Sequence, residues 1–192
     1  MSVMQEALQC LRNMVGNCPE VKCALGEELR QRLPSAVTPT VLDSILSSIQ
    51  HPAANTNVVS QAVELLKAVA SNVEGRTGLI KGGVGQALHQ QMLQHIKLKE
   101  TAKIGILLQF FCALSSYKDG QIHVIRINGL FSELLSSALS KSHQVSYLAL
   151  TTLCNLASLR ENKPFFLSDG EYSLPSFCMY TRFLLMTKTF LR

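Results

Sequence analysis

The sequence predicts an all-α protein, a right-handed α-solenoid of about four repeated units with no polar cap at either end. Three observations carry that expectation. One short pattern recurs four times along the 192 residues. Apolar residues between its copies fall at three-to-four spacing, the period of a helix face. No convincing β-strand interrupts them, because the Val-Ile stretch at 122–127 is brief and lies inside the repeat register.

The elements follow in order. The first copy of the pattern spans residues 11–25 and its acidic marker is Glu20. Leu33-Pro34 and Pro39 break the chain before an apolar helical run at Val41, Leu42, Ile45, Leu46 and Ile49. A loop inserted at 51–56 lengthens the first interval. The second copy spans 66–79 around Glu74, and a helical run at Leu88, Met92 and Ile96 follows. The third spans 111–124 around Asp119, with Leu130, Leu134, Leu135 and Leu139 after it; the fourth spans 153–166 around Glu161. The acidic markers lie 54, 45 and 42 residues apart. Each copy ends a helix on an apolar residue (Met14, Val69, Leu114, Leu156), turns through small polar residues, and opens a short helix with the acid. There the carboxylate faces the positive end of the helix dipole. Lys22, Arg76, Gln121 or Lys163 stands two residues beyond it. Gly82, Gly129 and Gly170 punctuate the joints between short and longer helices.

Leu153-Cys-Asn-Leu-Ala-Ser-Leu-Arg-Glu-Asn-Lys-Pro and, in the first copy, Leu11-Arg-Asn-Met with Pro19-Glu-Val-Lys resemble the armadillo consensus. The resemblance covers residues 1–170 and implies units of one short and two longer helices. The Leu-Arg-Asn and Leu-Cys-Asn phrasing is also similar to the rotatin-like scaffolds of the centriole and ciliary base. Residues 171–192 stand apart as a non-repeat, apolar and basic tail, carrying five of the twelve aromatics. Its apolar residues spread around a helical wheel, so a native repeat helix is not expected there. The uncapped ends are read as those of a fragment or alternative product of a larger protein.

Composition narrows the function. Hydrophobic residues make up 47% and charged residues only 16%, so the chain can bury a core, and part of its surface is expected to meet a partner. The net charge of +5 is modest for a nucleic-acid module. Six scattered cysteines, mostly beside apolar helical patterns, read as buried free thiols of a reducing compartment. The N-terminus lacks the basic and apolar regions of a signal peptide, and no apolar stretch is long enough to span a bilayer. A soluble cytoplasmic protein is expected, with the centrosome or ciliary base implied by the rotatin likeness and the nucleus left open.

No motif carries catalysis, and no cofactor or metal is expected. The five histidines lack ligand spacing and read as surface or boundary residues; Cys10, Cys18 and Cys23 form no Cys-x-x-Cys pair. Gly82-Gly-Val-Gly85 follows its lysine and fails as a phosphate loop. The informative surface is the third helix of each unit, which lines the concave side of an armadillo stack. Asn13, Ala68, Ala113 and Asn155 form one column. Four residues upstream stand Gln9, Glu64, Gln109 and Thr151; one upstream stand Arg12, Lys67, Cys112 and Cys154. In importin-type armadillo proteins, Trp and Asn four residues apart hold an extended peptide. With no Trp and two of four Asn positions filled, nuclear-localisation-signal binding is not expected.

Gln9, Arg12, Asn13, Glu64, Lys67, Gln109, Thr151 and Asn155 are therefore the candidate partner-binding residues of a non-catalytic protein scaffold. The rival reading is a HEAT-like module binding nucleic acid through Lys97, Lys99, Lys103 and Arg126. The basic 97–103 stretch reads either as a solvated turn or as a patch for an acidic partner.

Overall fold

The structure is a computed structural model that describes residues 3–18, 20, 21, 24, 41–51 and 54–168. The proposed tail, Gly170, Lys22 and Cys23 lie outside the described residues. Those described form ten α-helices and one 3-10 turn, with no strand among them. The helices are α1 (Val3–Asn17), α2 (Val41–Gln50), α3 (Thr56–Ala70), α4 (Val73–Lys81), α5 (Val84–Lys97), α6 (Thr101–Leu114), α7 (Lys118–Ile125), α8 (Leu130–Ala138), α9 (His143–Ser158) and α10 (Lys163–Ser168). The turn, Arg160–Asn162, lies between α9 and α10.

The contacts repeat every three helices. In one layer α1 packs on α3, α3 on α6, and α6 on α9. Beside it α2 packs on α3 and α5, α5 on α6, and α8 on α9. A third row holds the short elements, α4 against α7 and α7 against the 3-10 turn. Thus α4–α5–α6 and α7–α8–α9 follow one another in a similar order, although α8, at nine residues, is as short as α4 and departs from the expected unit of one short and two longer helices.

Local chemistry places the boundaries. Asn55 caps α3 by accepting from the Val58 N–H at 2.9 Å, and Asn72 caps α4 by accepting from the Glu74 N–H at 3.1 Å. Gly83 (φ 71°) and Gly129 (φ 80°) take the left-handed turn that opens α5 and α8. The joint expected at Gly82 therefore falls one residue later, since Gly82 still has a right-handed helical conformation. Three first-layer helices end alike: the Ser71, Ser115 and Ser158 hydroxyls donate to the carbonyls of Ala68, Cys112 and Asn155 at 2.7, 2.9 and 2.6 Å.

The core runs along the first layer. α6 lies between α3 and α9, and Ile104, Ile106, Leu107, Leu108, Phe110, Phe111 and Leu114 are all buried. A helix apolar on nearly every side belongs in such a position, and the Phe110 and Phe111 rings meet edge to face at 5.7 Å.

Burial also corrects the first copy of the pattern. Val15 is fully buried like Val69, Leu114 and Leu156, while Met14 is 49% exposed. Val15, 54 residues before Val69, is therefore the apolar helix end, matching the 54-residue interval between Glu20 and Glu74.

Candidate functional site

The eight predicted residues lie on four helices that pack consecutively: Gln9, Arg12 and Asn13 on α1, Glu64 and Lys67 on α3, Gln109 on α6, Thr151 and Asn155 on α9. Arg12 and Asn13 are exposed and the others half-buried. The corrected register puts Met14, not Asn13, in the column of Ala68, Ala113 and Asn155, and brings Asn13 level with Lys67, Cys112 and Cys154.

Several of these side chains are held by one another. Gln9 Nε2 donates to Asn13 Oδ1 at 3.1 Å, and Lys67 Nζ pairs with Glu64 Oε1 at 2.7 Å. Asn155 Nδ2 crosses from α9 to α6 and donates to Ser115 Oγ at 3.0 Å. Thr151 turns its hydroxyl back to the Tyr147 carbonyl at 2.8 Å. Cys112 links three helices of the layer. Burial pushes its thiol pKa up, against the smaller opposing pulls of the Thr152 hydroxyl on α9 and the Lys67 ammonium on α3. His143 and Tyr147 stack with parallel rings at the start of α9, and Tyr147 is exposed. The surface is amide- and hydroxyl-rich; Glu64 cancels Lys67, and the exposed Arg12 leaves the eight candidates with a single positive charge.

Sequence reasoning missed the joint between the two short-helix units. Arg76, only 6% exposed, places Nε 2.8 Å from both carboxylate oxygens of Asp119 and donates Nη1 to the Ala70 carbonyl at 2.9 Å. Its guanidinium lies 3.9 Å from the centre of the Tyr117 ring. One unit on, Lys118 pairs with Glu161 at 3.3 Å between exposed side chains. Asp119 and Glu161 therefore also receive a cation from the preceding short element.

Two other expectations are corrected. His89 and His95 are buried, not surface residues, and the Nε2 atoms of His89, His95 and His123 are enclosed with no hydrogen-bond partner. Burial holds the His89 and His123 pKa values below the ordinary histidine value. His95 Nδ1 meets Glu100 Oε2 at 2.6 Å. Conversely, Cys10 and Cys18 are exposed and Cys112 and Cys154 half-buried, so these four described cysteines are not core thiols. Among the described residues, no group of three or more His, Cys, Asp or Glu side chains is placed to hold a metal ion, and no helix is long and apolar enough to cross a membrane.

The basic residues of the rival reading do not form one patch. Lys103 is tied to Glu100 at 3.1 Å and largely covered. Arg126 lies near the start of α5, where Gly85 faces His123 and Ile127, whereas Lys97 ends that helix. Fourteen residues of helix separate those ends by about 20 Å.

Residues 23–168 match the family model described as Neurochondrin. No curated protein and no solved structure matches the chain.

Proposed function

The chain belongs to the neurochondrin family, and on that premise we propose that it is a non-catalytic scaffold, an armadillo-type solenoid that holds protein partners along α1, α3, α6 and α9. One observation carries the reading: all eight candidate side chains fall on a single layer of consecutively packed helices, with the core directly beneath them. Their internal hydrogen bonds fix many of the rotamers before a partner arrives, which lowers the entropy cost of binding. An amide and hydroxyl surface with Arg12 as its one uncompensated charge suits peptide groups and polar side chains better than a phosphate backbone. The division of Lys97, Lys99 and Lys103 from Arg126 weighs against the nucleic-acid alternative. The non-catalytic part of the proposal rests on the sequence, which carries no reactive constellation. Action in the cytoplasm, at the centriole or ciliary base to which the rotatin likeness points, belongs to the same proposal; imaging of the tagged protein against a centriole marker tests it.

The binding test replaces Arg12, Asn13, Lys67 and Asn155 together with Ala. Partner capture should fall while helicity by circular dichroism is unchanged. Undiminished capture would remove the layer from the account.

A further inference from the structure

Glu133, Ser137 and Ser140 stand at i, i+4 and i+7 along α8 and the joint that follows it, so they fall on one face. That face, the end of α5 and the starts of α6 and α9 border a cleft of about 230 Å³. Ile96, Ile104 and Val145 form its apolar walls. Its polar lining is Glu133 with the hydroxyl residues Thr101, Ser137 and Ser140, among others.

The lining carries a single charged group, and it is negative. Glu133 is half-buried and makes no ion pair among the described residues. Ser137 is a second, independent sign. The residue is only 8% exposed, yet its hydroxyl makes no hydrogen bond among the described residues. Unlike the sealed Nε2 atoms of the buried histidines, this oxygen is not enclosed, so it opens on the cleft that Ser137 lines. A hydroxyl held that deep without a protein partner lacks a bond that a ligand can supply. The Ser140 hydroxyl accepts from the Ser142 N–H at 3.2 Å and keeps a second lone pair.

We propose that this cleft receives an arginine side chain of a partner protein, its methylenes along Ile96, Ile104 and Val145 and its guanidinium on the Glu133 carboxylate and the Ser137 and Ser140 oxygens. The lone, unpaired carboxylate selects a cation. Apolar walls beside it match the stem that a basic side chain buries while its head stays polar. The acceptors are spread over two turns of one face, which suits the planar fork of five N–H donors; an ammonium is a compact, strongly hydrated point charge. A calcium ion is disfavoured, because it takes six or more oxygen ligands and the cleft offers one carboxylate. Lys97 and Lys141 neighbour lining residues in the chain, but both are exposed. Physiological salt screens their repulsion beyond about 8 Å, and screens a half-buried contact much less.

The test titrates an end-blocked Gly-Gly-Arg-Gly-Gly peptide into the full, isotope-labelled chain and follows the backbone amide signals of Ser137, Ser140 and Val145 by NMR. Matched peptides carry Lys or citrulline in place of Arg, citrulline being the uncharged isostere, and methylguanidinium is the probe without a stem. The arginine peptide should shift all three signals saturably. Glu133→Gln should weaken it by about fivefold or more, with a smaller loss in Ser137→Ala. The lysine peptide and methylguanidinium should each bind at least about threefold more weakly, and the citrulline peptide should cause no saturable shift. Arg12→Ala with Asn155→Ala should leave the titration unchanged, which separates the cleft from the layer of the proposed scaffold. The three probe comparisons use the unaltered chain, so they stand even where a variant fails to fold. No saturable shift, equal binding of the citrulline peptide, the lysine peptide or methylguanidinium, or an affinity untouched by Glu133→Gln would overturn the inference.

Discussion

Arg76 of α4 and Asp119 of α7 lie 43 residues apart in sequence, yet the guanidinium Nε sits 2.8 Å from both carboxylate oxygens. The arginine is buried and also ties down the carbonyl that ends α3, so one side chain joins a helix end, its own short helix and the next unit. Arg76→Ala should lower unfolding stability by about 2 kcal/mol, since charged hydrogen bonds at a buried site are lost. A double-mutant cycle with Asp119→Ala, read by urea denaturation, should give a coupling of about 1 kcal/mol or more. The same cycle on the exposed Lys118–Glu161 pair should give no resolvable coupling.

The two short helices approach the preceding layer through glycine. A Cβ added at Gly75 would run into the Val69 carbonyl oxygen, and one at Gly120 into that of Leu114. In the next unit the equivalent position is Asn162, which donates Nδ2 to the Leu156 carbonyl at 3.0 Å. Gly120→Ala should therefore cost about 2 kcal/mol through forced separation of α7 from the end of α6. A thermal melt of the variant checks this, with Gly16→Ala as a control, since nothing lies within 4 Å of a Cβ there.

His89 and His123 resist protonation in the fold because burial lowers their pKa values. Their stabilising contribution is full above the unfolded histidine value of about 6.5 and declines as pH falls towards their lowered folded values. Melting temperature should drop between about pH 7 and about pH 5, above the range where carboxylates titrate. His89→Leu should shrink that drop; an unchanged pH profile would dismiss the assignment.

Lys99 holds a left-handed conformation with φ 59°. Lys99→Gly should raise stability by about 1 kcal/mol by relieving the clash of its Cβ with the following carbonyl.

The helices, their three-element recurrence and the acidic openings were legible because apolar periodicity and turn chemistry are local signals. The glycine approach was legible in principle: Gly75 and Gly120 each follow the acidic marker directly. The buried Arg76 was not, since nothing nearby distinguishes an arginine that will find a carboxylate 43 residues on from one that faces water. The histidines were misjudged for the same reason, because His89 is covered in part by the Gly129 turn, forty residues on in the chain. The one-residue shift of the first copy came from matching Met14 to Val69 by type, where the spacing of Glu20 and Glu74 already favoured Val15. The candidate layer was readable on α3, α6 and α9, where Glu64, Gln109 and Thr151 hold corresponding places; on α1 the one-residue shift puts Cys10, not Gln9, level with them.

The central claim is that one partner runs along successive helices of a single layer. A photo-crosslinking amino acid placed in turn at Gln9, Glu64, Gln109 and Thr151 tests it directly, with the exposed Glu74, Lys118 and Arg160 in the third row of short elements as controls. The account predicts that adducts to the same protein form from at least three of the four layer positions and from none of the controls. Adducts from the third row alone, or a different protein at each layer position, would contradict it.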